Sequence, residues 1–209
     1  MENKGYPDIK TAIKLWEDGI IYRKSKPYGF AIEDEYRFHT KGVASAAQKI
    51  AENISYLDPE KAYILGLLHD YGKRISERDE NYFHGREGYE QMNKLGFYEV
   101  AKICLTHTFF DKNIKYEDMS YPAEWLNWAK LKLQNIDYDD YDYLICLCDK
   151  FFEGLSIVSI EKRAEGIAKR YKTNTHQLTI FIEKSLQLKK YFEEKTGKDI
   201  YDLLQIYNN

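Results

Sequence analysis

Long segments of this chain repeat apolar residues at spacings of three and four, and only 4 prolines and 12 glycines interrupt its 209 residues. Such spacing keeps one side of a helix apolar and leaves a strand without a consistent face. No fixed-period repeat accompanies it. The pattern therefore predicts an all-α protein, a bundle in which each helix buries its stripe against neighbours.

The segments can be placed along the chain. A first helix follows Pro7, with Ile9, Ala12, Ile13 and Trp16 on one face, and ends before Gly19. A second is expected from about Tyr36 to Ile54, with Val43, Ala46, Ala47, Ile50, Ala51 and Ile54 as its stripe and His39 on the same side. From Glu60 to Asp70 the chain is apolar nearly all round, as a central buried helix should be. It ends at His69 and Asp70, and a polar loop to Asn81 is expected after it. Further helices are expected at about Gly85 to Leu95, after Gly96 with the stripe Val100, Ile103, Cys104 and His107, and from Pro122 to Leu133. An acidic linker over Asp137 to Asp142 precedes a helix carrying Leu144, Ile145, Cys148, Asp149 and Phe152. Two helices, Ser159 to Tyr171 and Thr175 to Lys195, follow, the second with Thr175 as its N-cap.

A composition of 44% hydrophobic and 31% charged residues can bury a substantial core and excludes disorder. One domain spanning 1–209 is expected. The net charge of −3 provides no overall basic field, so no stable nucleic-acid partner is expected. The segment MENKGYPDIK has no apolar core, and no uncharged apolar run approaches the roughly 18 residues of a membrane span. A soluble, cytoplasmic protein is expected, with a homodimer left open. Cys104, Cys146 and Cys148 are odd in number and sit in apolar helical surroundings, so they read as reduced core residues.

The chemistry lies in polar groups on the inward stripes. His39, the adjacent pair His69 and Asp70, His107 and Asp149 occupy four separate segments yet all face the core, where each loses hydration unless it finds a partner. Taken singly, each has a plainer explanation: a hydrogen-bonded core histidine, a helix cap, a buried ion-pair partner. Taken together, they are the groups that a dication held between facing helices satisfies at once. Imidazoles and carboxylates without thiolate suit a borderline first-row metal better than calcium or copper(I).

The string Gly66-Leu67-Leu68-His69-Asp70-Tyr71-Gly72-Lys73 resembles the signature of the HD-domain superfamily. Upstream, His39 with Val43 and Ala44 matches its first motif, and Asp149 in Leu-Cys-Asp-Lys its last, so the resemblance covers about 36–153. It implies an HD-domain helical bundle and a metal-dependent phosphohydrolase, with His39, His69, Asp70 and Asp149 as metal ligands. His84 and His107 match the added histidines of members that hold two or more ions. The implied cofactor is one or two divalent transition-metal ions, iron or manganese foremost, with zinc, nickel, cobalt or magnesium as alternatives. The pair His84-Gly85 and the string Leu-Thr-His-Thr ending at Thr108 are also similar to bacterial HD hydrolases of symmetrical dinucleoside tetraphosphates, although the first 35 residues and the tail after Ser156 depart from that pattern.

The resemblance implies cleavage of a phosphoester or phosphoanhydride by a metal-held hydroxide, with Asp70 as bridging carboxylate and a phosphorylated small molecule, a nucleotide or dinucleoside polyphosphate, as substrate. Lys73 and Arg86 are the cations expected at the substrate phosphate. Tyr82, Phe83, Phe109 and Phe110 flank the histidines and are candidates for a base pocket. Two other readings stand beside this one: a non-catalytic nucleotide-binding module of the same fold, and a di-iron oxygenase.

Overall fold

The computed structural model describes residues 5–24, 29–75, 84–119, 121–170 and 173–207. Its elements run α1 (Ile9–Lys24), α2 (Gly29–Ala51), α3 (Pro59–Leu68), α4 (Tyr71–Ile75), α5 (His84–Lys94), α6 (Tyr98–Thr106), α7 (Ala123–Leu133), α8 (Asp140–Asp149), a hairpin of β1 (Phe152–Glu153) and β2 (Ser156–Ile157), α9 (Ile160–Arg170), α10 (Thr175–Thr196) and α11 (Ile200–Leu204). The fold is all-α, as the periodicity requires. Among the described residues no helix is long and apolar enough to cross a membrane.

The central helix α3 starts where Asp58 accepts hydrogen bonds from the backbone N–H groups of Glu60 and Lys61, with Pro59 in its first turn. Ala62, Ile64, Leu65, Gly66, Leu67 and Leu68 are all buried. It packs against α2 at very short range, since a Cβ on Gly66 would lie 2.7 Å from Cα of Ala44. Glycine there lets the two backbones approach, and that approach sets the spacing of His39 and His69. A main core gathers α2, α3, α6 and α8, and a smaller one collects Leu105, Phe109, Trp125, Ala129 and Leu133 beneath α7. Cys104, Cys146 and Cys148 are free, buried thiols.

Several local expectations are corrected. Helix α1 runs through Gly19 to Lys24, and its buried stripe is Ala12, Trp16 and Ile20, while Ile13 is 39% exposed. Gly19 is itself buried, which costs less than ending a helix whose next turn still has Ile20 to bury. The chain after Asp70 forms the short helix α4 because Tyr71 has a core site to fill. Helix α8 starts inside the expected linker, where Asp139 and Asp142 form a capping box. Asn174, rather than Thr175, caps α10. Phe152 lies on the hairpin instead of on α8, and α11 is an additional turn of helix that buries Ile200 and Leu204.

Candidate metal centre

Five segments of the fold deliver the six candidate ligands to one place. His39 projects from the middle of α2, His69 and Asp70 occupy the break between α3 and α4, His84 opens α5, His107 caps α6, and Asp149 ends α8. The break at His69 and Asp70 is held on both sides. A Cβ on Gly72 would collide with the carbonyl oxygen of His84, so a glycine is required for α4 and α5 to touch. Phe152 packs edge-on against the His39 ring at 5.9 Å and fixes its tilt, a contact made possible by Gly42, where any Cβ would strike the phenyl ring.

The ligand atoms form two pockets that share Asp70. In the first, His39 Nε2 lies 3.1 Å from His69 Nε2, 3.4 Å from Asp70 Oδ2 and 3.0 Å from Asp149 Oδ1. In the same pocket His69 Nε2 lies 3.4 Å from Asp70 Oδ2 and 3.7 Å from Asp149 Oδ1. In the second, Asp70 Oδ1 lies 3.3 Å from His84 Nε2 and 3.6 Å from His107 Nε2, and the two imidazole nitrogens are 3.4 Å apart. An ion bound at about 2.1 Å would separate adjacent ligands by about 3.0 Å at right angles and about 3.4 Å at tetrahedral angles. Both pockets match that spacing.

Protonation reinforces the match. His69 Nδ1 donates to the carbonyl of Gly66 at 2.6 Å and His107 Nδ1 to that of Ile103 at 2.9 Å, which leaves each Nε2 lone pair directed into its pocket. Burial, with the neighbouring His69, holds His107 well below the usual imidazole range, so it is neutral and able to ligate. Burial pushes the Asp70 carboxyl up, but Lys73 and the surrounding imidazoles outweigh it and hold the carboxyl well below the usual range. Asp149 is likewise ionised: Lys150 and His39 overcome its burial. Burial disfavours a proton on His39, yet hydrogen bonds with Asp149 and Asp70 prevail and raise its pKa, so a proton and a dication compete for the same atoms.

The fit of a cation is tested most directly by Asp70 Oδ1. It is buried and has no hydrogen-bond partner among the described residues, although it faces the Nε2 atoms of two histidines. An unpaired buried carboxylate oxygen beside a bare imidazole lone pair is costly, and a dication between them removes the conflict. His39, His69 and Asp70 form one group able to hold a metal, and Asp70, His84 and His107 another.

Of the two expected phosphate contacts, Lys73 is at the centre, with Nζ 2.6 Å from Asp70 Oδ2. Arg86 is directed elsewhere: its Nε meets Glu90 at 3.0 Å and its guanidinium lies over the Trp128 ring. Two residues along a helix is a turn of about 200°, so Arg86 points away from the face that His84 presents. Phe109 is fully buried against Trp125, Phe110 borders the site, and Tyr82 and Phe83 lie outside the described residues. Lys150 was not singled out from sequence. Its ammonium lies 2.6 Å from Asp149 Oδ2 and 3.3 Å from the His107 carbonyl, tying a ligand of one pocket to a ligand of the other. The only sequence signal was its position beside Asp149.

A cavity of about 240 Å³ opens from the centre and is lined by Lys73, His84, His107, Thr108, Asp149 and Lys150, and farther out by residues of α9 and α10. A family model described as HD domain matches residues 36–152. No curated protein and no solved structure matches the chain.

Proposed function

The chain belongs to the HD-domain family, and from that premise we propose that it is a metal-dependent phosphohydrolase acting on a phosphorylated small molecule, a nucleotide being the favoured class. The observation that carries the reading is the division of Asp70, with Oδ2 toward His39 and His69 and Oδ1 toward His84 and His107. A bridging carboxylate between two imidazole pairs is what a binuclear hydrolytic centre needs.

Bound cations would supply a nucleophile at neutral pH by acidifying a water and would neutralise charge on the phosphoryl oxygens. The chain's own residues do the rest. The pockets of Asp70 and Asp149 fix the geometry, and the fixed Nδ1 hydrogen bonds of His69 and His107 keep their rings oriented. Lys73 and Lys150 place two ammonium groups at the cavity floor, where they can meet phosphoryl oxygens and stabilise charge in a site already organised for it.

Metal content per chain measured by mass spectrometry, beside a phosphate-release screen over mono-, di- and dinucleoside polyphosphates, tests the reading. Two ions and nucleotide hydrolysis, both lost in Asp70→Ala, are expected. Nucleotide retention with no phosphate release after addition of manganese or iron would move the protein to the non-catalytic binding class, and oxygen-dependent turnover with iron alone to the oxygenases.

A further inference from the structure

The family match ends at residue 152, yet the cavity over the centre is completed by residues beyond it. Its outer wall carries an apolar patch, Phe110, Met119, Ile167, Leu178 and Phe181, set among charged residues that are engaged with one another or with neighbours, Asp111 with Lys184, Asp118 with His176 and Arg163 with Glu153, and beside the exposed Lys115. Phe110 and Phe181 meet edge to face at 6.2 Å. Helix α10 is fastened to the loop that follows His107 at three points. Lys184 pairs with Asp111 at 2.5 Å, His176 with Asp118 at 2.8 Å, and the Gln177 amide donates to the Glu117 carbonyl at 3.2 Å. The inner end of the cavity therefore presents the ammonium groups of Lys73 and Lys150, and the outer end an aromatic and aliphatic patch framed and held in place by these ion pairs.

Resting on the phosphohydrolase reading, we infer that this wall is the leaving-group pocket and that the substrate is a phosphate monoester carrying one aromatic or heteroaromatic ring system, which packs on Phe181 and Phe110. Size and polarity both lead there. Pockets for drug-sized ligands run from about 300 to 1,000 Å³, so about 240 Å³ holds a phosphate and one ring system, and the second nucleoside of a dinucleoside polyphosphate would lie outside. A charged or strongly hydrated leaving group would lose its water against the apolar patch while Asp111, Asp118, Arg163 and Lys184 are already engaged in ion pairs, whereas a planar ring gains stacking and apolar contact. In the reaction, water adds to phosphorus, the bond from phosphorus to the ester oxygen breaks, and the ring-bearing alcohol leaves with one of the water's protons as inorganic phosphate forms.

Binding and turnover are read separately on the full, manganese-loaded chain. By calorimetry, phenylphosphonate is expected to bind at least tenfold more tightly than methylphosphonate, and Phe181→Ala to reduce that preference to less than threefold. Phe181→Leu keeps the apolar contact with the core, removes the ring and is expected to weaken phenylphosphonate by threefold or more at an unchanged melting temperature. In turnover, Phe181→Leu should raise KM for phenyl phosphate while leaving glycerol 2-phosphate within twofold. Equal binding of the two phosphonates by the wild type, or an equal effect of Phe181→Leu on both esters, overturns the pocket. Phe181-dependent binding of phenylphosphonate with no ester cleaved would leave the pocket standing and remove the phosphohydrolase reading instead.

Discussion

Asp70 Oδ1 lies 3.6 Å from Nε2 of His107, and no proton joins them, because the imidazole proton is already given to Ile103. Two acceptors facing each other in a buried site mark where a cation belongs. Since the two pockets share only Asp70, they should be separable by mutation. His107→Ala is expected to retain one ion per chain and lose the other, Asp149→Ala to lose the ion of the opposite pocket, and Asp70→Ala to lose both, as read by metal-to-protein ratio after dialysis. Loss of both ions in His107→Ala would contradict two distinct pockets.

The end of the chain offers a pH test away from the centre. Asp199 caps α11, and the backbone N–H of Asp202, aided by the Lys189 ammonium at 3.0 Å, pulls its carboxyl down to about 2. A folded-state pKa below the unfolded value gives stability that is complete above about 4 and fades as pH falls toward 2. Because Asp199 is exposed, solvent screening keeps the effect small. The melting-temperature gap between wild type and Asp199→Asn should therefore be constant from pH 5 to 8 and narrower at pH 3. A gap that widened on acidification would reverse the assignment.

Much of this was legible in sequence because helical periodicity and inward polarity are local signals. His39 stands four residues before Val43, so its face follows from helix geometry alone, and the structure brings it to His69 as that face requires. Arg86 turns to Glu90 and Trp128 because two residues along a helix nearly reverse the face, so nearness in sequence to His84 is not nearness in space. Phe152 and the hairpin were missed since two-residue strands carry no period to detect. The wall supplied by α9 and α10 was invisible for a different reason. Phe181 and Leu178 look like ordinary core residues until Lys184 and His176 are seen to clasp the loop bearing Asp111 and Asp118.

Close backbone contact between α2 and α3 should be as important to the site as the ligands. A methyl group on Gly66 would be forced to 2.7 Å from the Ala44 Cα, backbone against backbone, with no flexible side chain to yield. Gly66→Ala is expected to destabilise the fold by about 1–3 kcal/mol and to part His39 from His69. Urea unfolding measures the first effect and manganese titration the second. A stable variant with unchanged metal affinity would show that the helices can shift without disturbing the centre.

Lys150 joins the two pockets, and its removal separates electrostatic from packing effects. The side chain is nearly fully buried, and burial disfavours its charge, yet Asp149 prevails and raises its pKa. In Lys150→Met the stem is replaced at similar volume, and Asp149 loses its closest cationic partner. Breaking a buried pair from one side costs about 3–5 kcal/mol, with His39 at 3.0 Å from the same carboxylate offsetting part of it. A dication in the first pocket would neutralise the same charge, so the stability lost in Lys150→Met should be recovered largely on adding manganese, whereas the loss in Gly66→Ala should not. Denaturant midpoints for both variants with and without metal decide the matter. Equal recovery in the two would mean that manganese stabilises the fold generally and that Asp149 gains nothing specific from it.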